Sequence, residues 1–103
     1  MRANGQTHER RSIERYEMRL LGIVHPPDQE KPAQELYTRD VSCEGAFFST
    51  NRPLPVDAQV RVTLFLPPKG FGRSKISTQG QVVRTEGDGI AVRFQPSYRI
   101  SRA

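Results

Sequence analysis

Three arginines lie close together near the N-terminus, in the run Arg10-Arg11-Ser12-Ile13-Glu14-Arg15. A guanidinium group is planar, permanently charged and forked, so it can hold a phosphate or a guanine edge through two parallel hydrogen bonds. The chain carries most of its positive charge as arginine, since lysine occurs only at positions 31, 69 and 75. A short arginine run near a terminus is also typical of a solvated tail. The run alone therefore leaves open both an anion-binding site and a tail.

A second group of polar residues follows in the run Asp40-Val41-Ser42-Cys43-Glu44-Gly45. On a strand, residues two apart point to the same face, so Asp40 and Ser42 are expected to project side by side. Gly45 has no side chain and would let a ligand approach the backbone closely. The alternative is structural, because aspartate and serine commonly form hydrogen bonds within turns.

Length and composition limit the class of protein. The 103 residues fit one domain, and the net charge of +5 favours an anionic partner: nucleic acid, a nucleotide, or an acidic membrane or protein surface. A single cysteine, Cys43, excludes an internal disulfide and is expected to be a buried, inert thiol. The chain has no apolar run long enough to span a membrane and no apolar stretch typical of a signal peptide, which predicts a cytoplasmic protein.

Short alternating segments predict six β-strands and no long helix. The strands are predicted over residues 16–24, 34–41, 46–50, 59–66, 75–84 and 90–94, with proline-rich or glycine-rich turns between them. In so small a domain, closure into an antiparallel barrel removes exposed sheet edges. We therefore expect an all-β, six-stranded antiparallel barrel over residues 9–95, with a flexible arm at 1–8 and a short polar, basic tail at 96–103.

Two further groups of residues allow other functional interpretations. Phe47, Phe48, Phe65 and Phe94 could form a stacking platform for single-stranded nucleic acid, but their alternation with polar residues favours ordinary barrel core. His8, His25 and Cys43 show neither metal-ligand spacing nor the arrangement of an activated nucleophile. The sequence thus predicts a binding protein rather than an enzyme, with no metal and no cofactor.

Taken together, the two motifs resemble the PilZ domain family. That family is marked by an RxxxR motif ahead of the first strand and a [D/N]xSxxG motif at a later strand and turn. Here Arg11-Ser12-Ile13-Glu14-Arg15 matches the first motif, and the run from Asp40 to Gly45 matches the second. The resemblance extends through the segments 80–84 and 89–94, covering roughly residues 9 to 95. Glu44 departs from the pattern, since relatives often have glycine there, and its carboxylate could weaken the binding of an anion.

The resemblance implies a six-stranded barrel that binds cyclic di-GMP, a bacterial second messenger. Arg11 and Arg15 would grip its phosphates and guanine edges, and Asp40 would accept hydrogen bonds from the guanine N–H groups. Ser42 would add a hydroxyl contact and Gly45 would leave room for the ligand.

In the family that the sequence resembles, the residue just before the first motif influences whether one ligand or a stacked pair is bound. Arg10 occupies that position, and a third guanidinium suits the higher charge of a ligand pair, so the resemblance implies two stacked ligands per domain. The expected function is a cyclic di-GMP receptor whose N-terminal arm orders over the barrel on binding and which signals in trans to a partner protein. Two alternatives remain open: a small basic barrel that binds RNA or single-stranded DNA, and a PilZ protein-interaction module without a ligand.

Overall fold

The computed structural model describes residues 14–28, 30–68 and 72–102, without the side chains of residues 97 and 98. Arg10, Arg11 and the predicted flexible arm therefore lie outside the described residues. The strands are β1 (Leu21–His25), β2 (Gln34–Ser42), β3 (Gly45–Ser49), β4 (Gln59–Phe65), β5 (Ser74–Glu86) and β6 (Gly89–Arg102). Among the described residues, none forms a helix with the length and apolarity that a membrane crossing requires.

The strands close into an antiparallel barrel. Backbone pairing joins them in the order β1-β2-β3-β6-β5-β4, and β4 pairs back with β1. Closure pairs every strand on both sides over part of its length, which satisfies the backbone hydrogen-bonding groups that an open sheet would leave at its edges. The predicted six-stranded antiparallel barrel is confirmed.

Alternation of apolar and polar side chains fills the barrel interior. Along β4, Val60, Val62 and Leu64 are buried, whereas Gln59 and Arg61 are exposed, as the sequence predicts. The largest fully buried side chains are Phe48, Leu64, Ile90, Val24, Val60, Val62 and Val82. Each such side chain stabilises the fold by about 1.5–3 kcal/mol through loss of apolar surface from water.

The first strand begins later than predicted, at Leu21 rather than Tyr16. The preceding segment still follows β2, but a buried threonine interrupts the regular ladder. The hydroxyl of Thr38 accepts a hydrogen bond from the Leu20 N–H at 2.8 Å and donates one to the Met18 carbonyl at 2.6 Å. Backbone pairing resumes at Tyr16, which exchanges hydrogen bonds with Val41 at 2.8 and 2.9 Å. A side chain therefore replaces part of the ladder here.

The last strand is longer than predicted. The sequence indicated an end near Phe94 and a tail over residues 96–103, but β6 continues to Arg102. Residues 98–102 pair in register with the first half of β5, from Ser74 to Thr78. The segment has no clear alternation of its own, so its strand conformation comes from pairing with β5, a tertiary effect that overrides a weak local preference.

Candidate functional site

An open cavity of about 750 Å³ lies on the outer wall of the barrel, across β2, β3, β6 and β5. It brings together four of the residues singled out in the sequence: Arg15, Asp40, Ser42 and Gly45. The other two, Arg10 and Arg11, are not among the described residues. The structure thus places one arginine of the first motif beside the polar residues of the second, and the binding role of all six remains a prediction.

Strand register arranges the outer wall in two rows that cross the four strands. Residues paired across an antiparallel sheet share a face, so each row presents its side chains to the same side. The first row comprises Ser42, Gly45, Arg93 and Gln81, and the second comprises Asp40, Phe47, Ala91 and Arg84. The motif residues of β2 and β3 are therefore continuous with two arginines from the other end of the chain.

Two β-bulges adjust the second row. On β2 the register shifts between Thr38 and Asp40, which makes Arg39 the extra residue opposite Phe47. On β5 it shifts between Val82 and Arg84, which makes Val83 the extra residue opposite Ala91. A bulge places two residues opposite one and can turn both toward the same face. Each flanking strand thereby sets an arginine on the outer wall beside Phe47.

Phe47 was predicted to belong to the barrel core; it is buried, but on the outer wall of the barrel rather than in its interior. Its neighbours Ala46 and Phe48 belong to the contiguous core cluster, whereas Phe47 does not and lines the outer cavity instead. The ring is nevertheless only 3% exposed. The guanidinium carbon of Arg39 lies 3.8 Å from the ring centre and that of Arg84 lies 5.8 Å from it, both within range of a cation–π interaction.

Ser42 and Gly45 also have structural roles in the β2–β3 turn. The Ser42 hydroxyl accepts a hydrogen bond from the Glu44 N–H at 3.2 Å. A side chain at Gly45 would place its Cβ only 2.2 Å from the Val92 carbonyl oxygen, so the close approach of β3 to β6 requires glycine. The structural interpretation of this motif thus holds alongside any contact these residues make with a ligand.

The turn itself exposes Cys43 and Glu44. Cys43 is an exposed free thiol, so the expectation of a buried cysteine is wrong. Its position between two strands explains this, because a hairpin turn projects from the sheet. Glu44 lines the cavity, and its carbonyl oxygen accepts a hydrogen bond from the Phe94 N–H at 2.8 Å. The backbone of Glu44 therefore extends the β3–β6 pairing, while its carboxylate is exposed at the cavity rim.

Arg15 is held at the cavity by its neighbour. The backbone pairing of Tyr16 with Val41 attaches the segment before β1 to β2 directly beside Asp40. The Tyr16 hydroxyl donates a hydrogen bond to the Glu14 carboxylate, and this bond and the negative charge of Glu14 raise the pKa of Tyr16 above its usual value. The backbone thus positions Arg15, while its exposed side chain keeps the freedom to reach a ligand.

The charge of the cavity is positive. Three guanidinium groups, those of Arg15, Arg84 and Arg93, line it with two carboxylates, those of Asp40 and Glu44. Arg84 donates a hydrogen bond to Glu86 at 2.8 Å, and Arg39 lies 3.8 Å from Asp88. All four side chains of these ion pairs are substantially exposed, and such pairs are weak and readily exchanged.

Sequence reasoning missed Arg84, Arg93 and the outward position of Phe47. Arg84 and Arg93 stood in segments that contributed to the family resemblance, but no role followed from it. Alternation along β6 gave a usable signal, because Arg93 is three residues after the inward Ile90 and so points outward. Arg84 gave no such signal, since the bulge before it changes its face.

The residue types in the cavity suit a ligand with two kinds of group. Guanidinium groups bind anionic oxygens or the acceptor edge of a purine, and a carboxylate accepts hydrogen bonds from N–H groups. Among the residues that the structure describes, no three metal-binding side chains cluster together. The arrangement is that of a binding surface for an anion that also carries N–H donors.

Comparison with protein families gives one match: the model described as PilZ domain matches residues 9–102. None of the curated proteins matches the sequence significantly.

Among solved structures, the fold is similar to that of the Bacillus subtilis inhibitor of motility MotI/DgrA. The TM-score is 0.68 and the sequence identity 14%, and the similarity covers 82% of this chain and 42% of that protein. At this identity the likeness concerns the fold alone, and the chain spans less than half the length of its structural relative.

Proposed function

The chain belongs to the PilZ domain family, whose members are binding and adaptor modules rather than enzymes, and from that premise we propose that it is a cytoplasmic receptor for cyclic di-GMP. One observation carries the proposal: the barrel gathers Arg15 of the first family motif with Asp40, Ser42 and Gly45 of the second around one positively charged cavity. The two motifs are separated by more than twenty residues in sequence, and the Tyr16–Val41 pairing brings Arg15 beside the second motif.

The chemistry of the ligand matches these side chains. Cyclic di-GMP has two phosphodiester charges and two guanines, whose O6 and N7 atoms accept a guanidinium fork. Arg15, together with Arg11, supplies such forks, and Asp40 accepts hydrogen bonds from guanine N1–H and N2–H₂. Arg84 and Arg93 add two further cations on the β5–β6 side of the same cavity. The ion pair of Arg84 with Glu86 is exposed and weak, so a ligand phosphate can replace it.

The proposed output is an ordering of the N-terminal residues. Binding draws Arg10 and Arg11 toward the cavity, where the pairing of Tyr16 with Val41 already holds the following segment. A segment that orders over a ligand changes the surface offered to a partner protein, and it couples the messenger to that partner. Three adjacent guanidinium groups, at positions 10, 11 and 15, suit the charge of two stacked ligands.

The decisive experiment is a pair of calorimetric titrations of the full chain, one with cyclic di-GMP and one with a single-stranded oligonucleotide. The proposal expects saturable heat with the dinucleotide, a stoichiometry near two ligands per chain and at most weak, salt-sensitive heat with the oligonucleotide. A Ser42→Ala, Asp40→Ala double variant serves to locate the binding at the cavity. Tight oligonucleotide binding without heat from cyclic di-GMP would favour the nucleic-acid alternative. Absence of binding heat with both ligands would favour a protein-interaction module.

A further inference from the structure

The C-terminal half of β6 has a strand partner on one side only. β3 spans 5 residues and pairs with β6 from Gly89 to Arg93, whereas β6 spans 14 residues and continues to Arg102. Beyond the hydrogen bond from the Phe94 N–H to Glu44, no described residue pairs with that side of β6. Every second residue of an antiparallel strand directs its N–H and C=O toward one side. Within the part of the chain that the structure describes, the stretch from Tyr98 to Arg102 is therefore an open strand edge.

This edge is exposed and partly apolar. Arg99, Ile100, Ser101 and Arg102 are all exposed. Ile100 is 62% exposed, the highest value among the large apolar side chains that the structure describes. Ile100 pairs in register with Ile76, which packs against the core. Apolar side chains therefore continue from the barrel core out to this strand edge. An unpaired edge next to an exposed apolar side chain is a surface that a further strand can cover.

The charge on this ribbon has one sign. No aspartate or glutamate occurs between residues 58 and 85 or between residues 89 and 103. The ribbon, defined as residues 73–78 of β5 and its approach together with residues 98–102 of β6, carries Arg73, Lys75, Arg99 and Arg102. The carboxylates lie instead at or before residue 57 and at the β5–β6 turn. Any segment that pairs here meets a positive potential that no carboxylate on the ribbon offsets.

We propose that the edge from Tyr98 to Arg102 is a docking site for an acidic, extended segment of a partner protein, which adds to the barrel as a further strand. Main-chain hydrogen bonds to the open edge give the affinity, an apolar residue on the incoming strand covers Ile100, and carboxylates opposite Arg99 and Arg102 give the specificity. The same charges oppose pairing with a second copy, because two such edges would set their arginines against each other. An oligonucleotide would use the cations but would leave the main-chain groups and Ile100 unmatched.

The inference goes beyond the proposed function and does not depend on it. The ligand cavity includes Ala91, Val92 and Arg93 of β6, whereas the edge begins farther along the same strand. A chain that binds no cyclic di-GMP would still present this edge, so the two proposals fail separately.

Fluorescence anisotropy with synthetic peptides tests the docking site on the full chain. The probe is the eight-residue peptide Glu-Thr-Val-Glu-Glu-Thr-Val-Glu, which can set valine opposite Ile100 and glutamates opposite both Arg99 and Arg102. It is compared with the same peptide N-methylated at every second residue and with the peptide that has lysine in place of each glutamate. We expect saturable binding of the acidic peptide only, and slower hydrogen exchange of the backbone amides in residues 98–102 when it is bound. The Arg99→Glu, Arg102→Glu double variant should bind it about tenfold more weakly or worse, because like charges now face each other.

A matched double variant, Arg52→Glu with Arg61→Glu, changes the net charge equally outside the ribbon and should keep the affinity, and thermal unfolding checks that both double variants fold. Equal binding of the N-methylated peptide would reduce the site to a charged patch and overturn the strand-addition proposal. Absence of binding to the acidic peptide would overturn it outright. A dimer in sedimentation that the Arg99→Glu, Arg102→Glu variant changes would assign the edge to a second copy, and tighter binding of a uridine oligonucleotide that the same variant abolishes would assign it to nucleic acid.

Discussion

The guanidinium carbon of Arg39 lies 3.8 Å from the centre of the Phe47 ring, on the outer wall of the barrel. This contact exists because Arg39 is the extra residue of a β-bulge and so shares the outward face with Asp40. The guanidinium covers the ring and leaves it almost unexposed. An apolar side chain thus supports the floor of a polar cavity, directly beside the carboxylate proposed to recognise guanine.

The stack of Arg39 on Phe47 predicts a measurable energetic coupling. Phe47→Leu removes the aromatic face but keeps an apolar side chain, and Arg39→Ala removes the cation. In a double-mutant cycle of urea unfolding, we expect a coupling of about 0.5–1 kcal/mol, the range for an exposed cation–π pair. A second double-mutant cycle, on Arg19 and Tyr37, gives a comparison, because the guanidinium carbon of Arg19 lies 4.2 Å from the centre of the Tyr37 ring. A coupling of zero for Arg39 with Phe47 would mean that the ring is buried without electrostatic benefit.

Loss of Arg15 should weaken the binding of cyclic di-GMP without unfolding the barrel. Arg15→Ala removes one bidentate contact, worth about 1–3 kcal/mol, or roughly a 5- to 150-fold loss of affinity. Arg11→Ala should behave alike, and Arg52→Ala is the control for loss of a positive charge outside the cavity. Calorimetry at two salt concentrations makes the measurement. If both motif variants kept full affinity, the site would lie elsewhere on the molecule.

Asp40 should determine which base is bound. A carboxylate accepts hydrogen bonds from guanine N1–H and N2–H₂, and adenine has neither of these donors. We expect Asp40→Ala to reduce the ratio of the affinities for cyclic di-GMP and cyclic di-AMP by about tenfold, within the range for one bidentate base contact. Parallel titrations with the two dinucleotides give this ratio. Equal losses for both would contradict a role in base selection and would indicate that Asp40 only maintains the local structure.

The hydroxyl of Thr38 should matter for both stability and ligand binding. Thr38→Val keeps the shape of a buried side chain but removes the hydrogen bonds to the Leu20 N–H and the Met18 carbonyl. We expect a loss of about 1–3 kcal/mol in the free energy of unfolding, the cost of a buried group left unpaired. The Tyr16 amide should exchange faster and cyclic di-GMP should bind more weakly, because this segment carries Arg15.

Thr63→Val, on β4 and away from the cavity lining, is the matched control for the Thr38 prediction and should change neither amide exchange at Tyr16 nor affinity. Denaturant unfolding, hydrogen exchange and calorimetry measure the three effects. Unchanged exchange at Tyr16 in Thr38→Val would show that the backbone pairing with Val41 holds the segment without help from the threonine.

The sequence by itself determined the features that depend on neighbours along the chain. Alternation in β4, the turn before Gly45 and the β5–β6 hairpin all follow from side-chain period and glycine placement, and the two motifs located Arg15, Asp40, Ser42 and Gly45. Strand faces alternate with a period of two, so a local pattern is enough to assign them until a bulge intervenes.

Only the tertiary structure decided what depends on pairing between distant strands. Register brought Arg84 and Arg93 to the cavity, the two bulges turned Arg39 and Arg84 toward Phe47, and pairing with β5 extended β6 to Arg102. None of these follows from local composition, because a bulge or a register is the outcome of competition among whole-strand alignments. Arg15 thus joins the residues of the second motif at one cavity through a backbone pair, Tyr16 with Val41, that the sequence did not reveal.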